Sequence, residues 1–250
     1  MACGREPADP CGHKQFGENK MEIEPQNEEG ARSHLLALPE LLLAAALVAG
    51  ANIWDFVPIN ETPWLLLIGW LSLRLRRKGW RDVGLYRPVN WPRTIGLAIV
   101  AGIALQLLSE FAIEPLLFRL IGERPDLSDF QSLAGNLPDS LVMLGLIWTF
   151  AAFGEEMGYR GYILDRAAAL GRNTPTAYVA AMITVSLLFG LGHYYQGAAG
   201  VVGSAVSGLF FGSLYLASGR NLWLPILAHG ISDTIGLAII YLGLAENLAK

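Results

Sequence analysis

The chain has 250 residues, 53% of them hydrophobic and only 16% charged, with a mean hydropathy of +0.39. A soluble domain carries roughly 25% charged residues and needs a polar surface to meet water, so this composition excludes an ordinary water-soluble globule. A net charge of −4 gives no basic footprint for nucleic acid, and the apolar residues come in the long blocks that lipid demands. The expected fold class is all-α, a polytopic transmembrane helical bundle of about seven to eight helices.

Residues 1–33 are rich in Gly, Pro, Glu, Asn and Lys and nearly free of aliphatic side chains. They read as a disordered polar tail without the apolar core of a signal peptide. Both cysteines, Cys3 and Cys11, lie there, with no zinc-finger spacing and no disulfide framework. Residues 34–250 form the expected transmembrane domain. Apolar blocks fall at about 35–53, 64–75, 94–121, 140–153, 176–191, 198–217 and 222–244. A perpendicular span needs about 20 apolar residues, so the shorter blocks are expected to be tilted or partly re-entrant helices. Glu110, Glu114 and Pro115 interrupt the third block, which reads as one long helix or a kinked one. Glu40, Glu110 and Glu114 are expected to be interfacial or structural. Residues 122–138 read as a loop or short surface helix.

The densest positive cluster, Arg74, Arg76, Arg77, Lys78 and Arg81, lies in a short connection. Positive connections stay in the cytoplasm, which places this loop and the N-terminal tail there. Trp54, Trp64, Trp70, Trp80, Trp91 and Trp223 stand near block ends, where an interfacial belt has them. The chain shows no internal repeat, so an inverted-repeat transporter gains no support. The small-residue run from Gly197 to Gly212 reads as a close helix-packing surface.

Ionisable groups inside apolar helices are expensive and mark function by default. Three clusters stand out: Glu155-Glu156-x-x-x-Arg160, Phe189-x-x-x-His193 and His229-x-x-x-Asp233. Glu156 and Arg160 are four apart with the acid first, the favourable order for a helical ion pair. Glu155 is turned about 100° from Glu156 on an α-helix, which leaves it free for chemistry. Phe189 and His193 share a face, with Ser186 near it, and so do His229 and Asp233. Converged, these faces supply two carboxylates and two imidazoles, a set that activates water. The same Glu155, His193, His229 and Asp233 suit zinc or another divalent metal, since two His and a carboxylate form a common catalytic shell. The HExxH zinc signature is absent.

In this order the clusters resemble the CAAX protease and bacteriocin-processing family of intramembrane proteases, also called Abi or type II CAAX endopeptidases. The run NLWLPILAHG, Asn221 to Gly230, and the segment DVGLYRP, Asp82 to Pro88, add to the resemblance, which covers roughly residues 80–245 with a protease-like core at about 140–245. It implies about eight helical spans and peptide-bond hydrolysis in a cavity within the membrane. Glu155 would be the water-activating base and His193 its partner. His229 and Asp233 would stabilise the tetrahedral intermediate or complete a metal shell, and Glu156, Arg160 and Phe189 would support them. The third motif often ends in Asn where this chain has Asp233. An ionised Asp only accepts hydrogen bonds, so Asp233 is protonated, orients His229 or helps hold a metal. The implied substrate is a prenylated C-terminal peptide, a leader peptide or a membrane-protein segment, within the bilayer. The alternatives are a non-catalytic scaffold or immunity protein, and an ion or proton transporter using the same Glu and His residues.

Overall fold

The computed structural model describes residues 26–245 except Asp55 and Ile59, with side chains from Leu36 onward. Residues 1–25, Cys3 and Cys11 among them, lie outside the described residues. Regular structure among the described residues is entirely helical. The long helices are α1 (Gln26–Asn52), α2 (Thr62–Leu75), α3 (Trp91–Ile121), α4 (Leu137–Leu170), α5 (Pro175–Leu191), α6 (Gly197–Ala217) and α7 (Trp223–Tyr241). Short 3₁₀ turns at Trp80–Val83, Ser128–Leu133 and Tyr194–Gln196 lie in the connections. α1 begins at Gln26, inside the stretch read as tail.

Proline marks the helix starts. Pro63, Pro92, Pro138 and Pro175 occupy the first turns of α2, α3, α4 and α5, where the missing N–H has no helical partner anyway. Asn90, Asn136 and Thr174 cap α3, α4 and α5 by accepting from the backbone N–H of Arg93, Asp139 and Ala177. The third apolar block is one continuous helix whose backbone widens to i→i+5 bonding over Ser109–Ile113, next to Pro115. A proline has no N–H to continue the ladder, so the turn before it opens. α4 carries a longer wide stretch over Ile147–Ile163, and this stretch holds Glu155, Glu156 and Arg160. Residues per turn rise there, so the angle between Glu155 and Glu156 falls somewhat below the 100° of an α-helix.

α3, α4, α7 and the helix ending at Ala217 are long and apolar enough to cross a membrane. α2, α5 and the apolar part of α1, Leu36–Asn52, are shorter. Only 17% of the apolar window of α3, and the same share of α4, is buried inside the protein. Ile99, Val100, Ile103 and Leu107 of α3 and Leu141 and Val142 of α4 point outward. Apolar surface of this extent has no place in water; it is the lipid-facing side of an integral membrane protein.

Contacts at the ends give the topology. Glu40 of α1 accepts from Ser72 near the end of α2, and Arg76 just beyond α2 pairs with Asp165 near the end of α4 at 3.1 Å. Arg220 after α6 reaches Tyr178 at the start of α5. The Leu222 N–H donates to the Gly84 carbonyl, and the rings of Trp91 and Trp223 meet edge to face at 5.2 Å. The starts of α3, α5 and α7 therefore share one face with the ends of α2, α4 and α6. At the opposite face Gly135 donates to the Tyr241 carbonyl and Asp126 to that of Gln196. The helices alternate up and down.

The sequence segment Asp82–Pro88 has a packing role. Tyr215 Oη donates to the Val83 carbonyl and Asn221 Nδ2 to that of Tyr86, which clamps this segment onto the α6–α7 turn. Gly84 has φ +116°, and a Cβ there would lie 2.4 Å from the Arg220 carbonyl oxygen, so no other residue fits.

The core centres on α4. Met157, Tyr159, Tyr162 and Ile163 pack with Leu65 of α2, Phe189 of α5 and Ile226 of α7. The small-residue run Gly197–Gly212 of α6 is a packing surface as expected: a Cβ on Gly208 would lie 3.1 Å from Ser186, and one on Gly212 would lie 2.6 Å from Met182. Ser186 is therefore a packing residue; its hydroxyl donates to the Met182 carbonyl one turn back.

Candidate active site

Three helices bring the clusters together. α4 supplies Glu155, Glu156 and Arg160, α7 supplies His229 and Asp233, and His193 stands just past the end of α5. Glu156 and Arg160 are 0% and 1% exposed and pair at 2.9 Å. Arg160 also donates to the Gly208 carbonyl at 3.1 Å, and its guanidinium lies 4.5 Å from the Phe189 ring centroid and 5.6 Å from that of Phe211. One carboxylate, one carbonyl and two ring faces thus hold a cation that could not stand alone at this depth.

The same Glu156 oxygen that meets Arg160 lies 3.0 Å from His229 Nδ1, while His229 Nε2 is 3.3 Å from Asp233. Phe211 stacks on the imidazole at 4.5 Å. The chain Arg160–Glu156–His229–Asp233 therefore fixes the ring from both nitrogens and one face. Of the readings open for Asp233, the geometry is that of a residue that orients His229. His193 Nδ1 is 3.0 Å from the Phe189 carbonyl oxygen. A carbonyl only accepts, so Nδ1 carries the hydrogen and Nε2 is left as an acceptor. The Phe189 and His193 rings lie 4.8 Å apart.

Glu155 differs from its neighbour. It is 8% exposed, and among the described residues no hydrogen bond reaches its carboxylate. It lines a cavity of about 650 Å³ together with His193, His229 and Asp233. Apolar walls of Ile113 and Leu117 from α3 and Leu146, Ile147 and Phe150 from α4 complete it.

Three carboxylates were not legible as part of this region. Glu61, at the start of α2, is 2% exposed; it accepts from Tyr159 Oη at 2.7 Å and from Asn52 Nδ2 at 2.9 Å. A Cβ on Gly192 would come within 2.8 Å of Glu61 Oε1, so this buried carboxylate packs against the residue that precedes His193. In the sequence Glu61 looks like any acid at a helix start, and nothing marks its contact 98 positions away. Glu110 and Glu114 were expected to be interfacial or structural, and Glu110 accepts from Gln106 at 3.0 Å, yet both also line the cavity. Glu110 lies within the widened turn Ser109–Ile113 and Glu114 directly after it. Glu40 does act structurally: Arg166 and Ser72 donate to it at 2.8 and 2.6 Å.

The arrangement does not fit a shared metal. Both His229 nitrogens already face carboxylates, and among the described residues no three His, Cys, Asp or Glu side chains stand close enough to hold one ion.

The fold and site define a class: a helical membrane protein with a buried carboxylate and two histidines on one cavity. Residues 137–235 match the family model described as Type II CAAX prenyl endopeptidase Rce1-like. The match spans all three clusters, from Glu155 to Asp233, and confirms the resemblance read from the sequence over that segment; it points to an endopeptidase of the CAAX kind. No curated protein and no solved structure matches the chain.

Proposed function

We propose that this chain is an intramembrane endopeptidase in which Glu155 activates water for attack on a peptide carbonyl. The observation that carries the reading is Glu155 itself, buried, without a hydrogen-bond partner among the described residues, and on one cavity wall with His193 and His229. Keeping a carboxylate in such a place is costly, and that cost is retained where chemistry needs it.

Water in the cavity donates to Glu155, and His193 Nε2 accepts its second hydrogen, which aims the oxygen lone pair at the substrate. Glu155 takes the proton as the C–O bond forms, and later gives it to the amine as the C–N bond breaks. The oxyanion needs a donor in place beforehand. His229 Nε2–H supplies it, shared between the Asp233 carboxylate, 3.3 Å away and one-third exposed, and the oxyanion as it forms. Glu156 and Arg160 keep the ring at that angle. No step is assigned to a metal, since the donor set does not gather around one ion.

The apolar walls suit a lipid-embedded peptide segment or a prenyl chain beside the scissile bond. Purified protein in detergent, given a quenched fluorescent peptide library that includes prenylated members, tests the reading. Cleavage that disappears in both Glu155→Gln and His193→Ala supports it. A folded protein that cleaves nothing, or moves ions in proteoliposomes without cleaving, contradicts it.

A further inference from the structure

Resting on the protease reading, we propose that the cavity receives its peptide from the non-cytoplasmic side of the membrane. The substrate would then be a translocated or outward-facing membrane segment, not a tail presented from the cytoplasm.

Two independent observations combine. The first is where the cavity opens. Its wall runs from the site to Asn60 before α2, to Pro125 and Leu127 in the α3–α4 connection, and to Tyr195 and Gln196 between α5 and α6. These belong to the face where α1, α3 and α5 end, and Asn60, Leu127 and Tyr195 are exposed there. At the other end the cavity is closed. Phe211, stacked on His229, and Leu105 are among its innermost lining residues. Behind them, on that face, come the Trp91–Trp223 ring contact and the clamp of Asp82–Pro88 on the α6–α7 turn. No lining residue comes from 74–93, 165–178 or 213–228. α2 also leaves the site near the open face, since its first residue, Thr62, abuts Gly154 next to Glu155.

The second observation is charge. The closed face carries Arg74, Arg76, Arg77, Lys78 and Arg81 in one connection, with Arg87, Arg172 and Arg220 in the neighbouring turns. The open face carries Arg119 and Arg124 among Glu123, Asp126, Asp129 and Asp139. Lys and Arg in short connections are retained in the cytoplasm, which puts the closed face inside and the open face outside. A peptide bond can then reach Glu155 only from the outer water or laterally, between the apolar walls of α3 and α4, from the outer half of the bilayer.

The test needs no cleavage, so it can fail while the protease reading stands, and pass in a protein that cleaves nothing. Cys3 and Cys11 are replaced by Ser, and single cysteines are placed by Lys78→Cys on the closed face, Ser128→Cys on the open face and Ser207→Cys in the cavity wall. Each full-length variant, expressed in bacterial spheroplasts, is exposed to a small membrane-impermeant thiol reagent before and after permeabilisation. The expected result is labelling of Ser128→Cys and Ser207→Cys in intact spheroplasts, and of Lys78→Cys only after permeabilisation. Labelling of Lys78→Cys in intact spheroplasts overturns the orientation. Labelling of Ser207→Cys only after permeabilisation, or not at all, overturns the direction of access.

Discussion

Glu155 and Glu156 are adjacent in sequence but have opposite surroundings. Glu156 answers a guanidinium and an imidazole within 3.0 Å, whereas Glu155 faces open space. That difference makes separable predictions. Glu155→Gln removes the base but no packing partner, so cleavage should fall by about 10²–10⁴-fold with an unchanged melting temperature in detergent. Glu156→Ala strands Arg160 and frees His229, and should cost about 3–5 kcal/mol, read as a lowered melting temperature and a reduced yield of folded protein. Asp233→Asn keeps an oxygen that accepts from His229 Nε2, so it should retain activity within about tenfold, whereas Asp233→Ala, which leaves the ring free to turn, should lose more. Comparable activity of the Asn and Ala variants would remove the orienting role of Asp233. The Glu156–Arg160 pair was legible because helical spacing dictates it. The link from Glu156 to His229 was not, because no local pattern encodes a contact between residues 73 positions apart.

At the scale of elements, the apolar blocks located the helices, while the prolines that open four of them became visible as starts only in the fold. What they could not locate was the widening of α4 over Ile147–Ile163, since the sequence there has the same apolar pattern as an ordinary helix. The same limit hid the place of Glu110 and Glu114 on the cavity wall. Close approaches at glycine hold the elements in register. A Cβ on Gly190 would lie 2.4 Å from the Val201 carbonyl oxygen on α6, a backbone contact with no flexible atom to move aside. Gly190→Ala should therefore push α5 from α6, carry His193 off the cavity wall, and lower both melting temperature and cleavage rate. Gly84→Ala combines a positive φ with a Cβ 2.4 Å from backbone, and should destabilise by about 1–3 kcal/mol from the backbone strain alone.

The whole molecule is an apolar shell around a polar seam. Its membrane character was legible from composition alone, and the site clusters from the cost of charges in apolar blocks. The cavity was not legible, because its volume arises from where α3 stands relative to α4, which depends on packing and not on either sequence. Nor could the metal question be answered from residue types, since Glu, His, His and Asp suit both chemistries. Their placement, with both His229 nitrogens held by carboxylates, predicts that chelators leave the activity unchanged.

The most direct measurement is cleavage of a susceptible peptide in oxygen-18 water by the purified protein and by Glu155→Gln, each with and without a chelator, with products read by mass spectrometry. The account predicts a heavy oxygen in the new carboxyl terminus with wild type, the same yield under chelator, and no product from the variant. Product from Glu155→Gln at the wild-type rate, or loss of wild-type cleavage under the chelator, would contradict it.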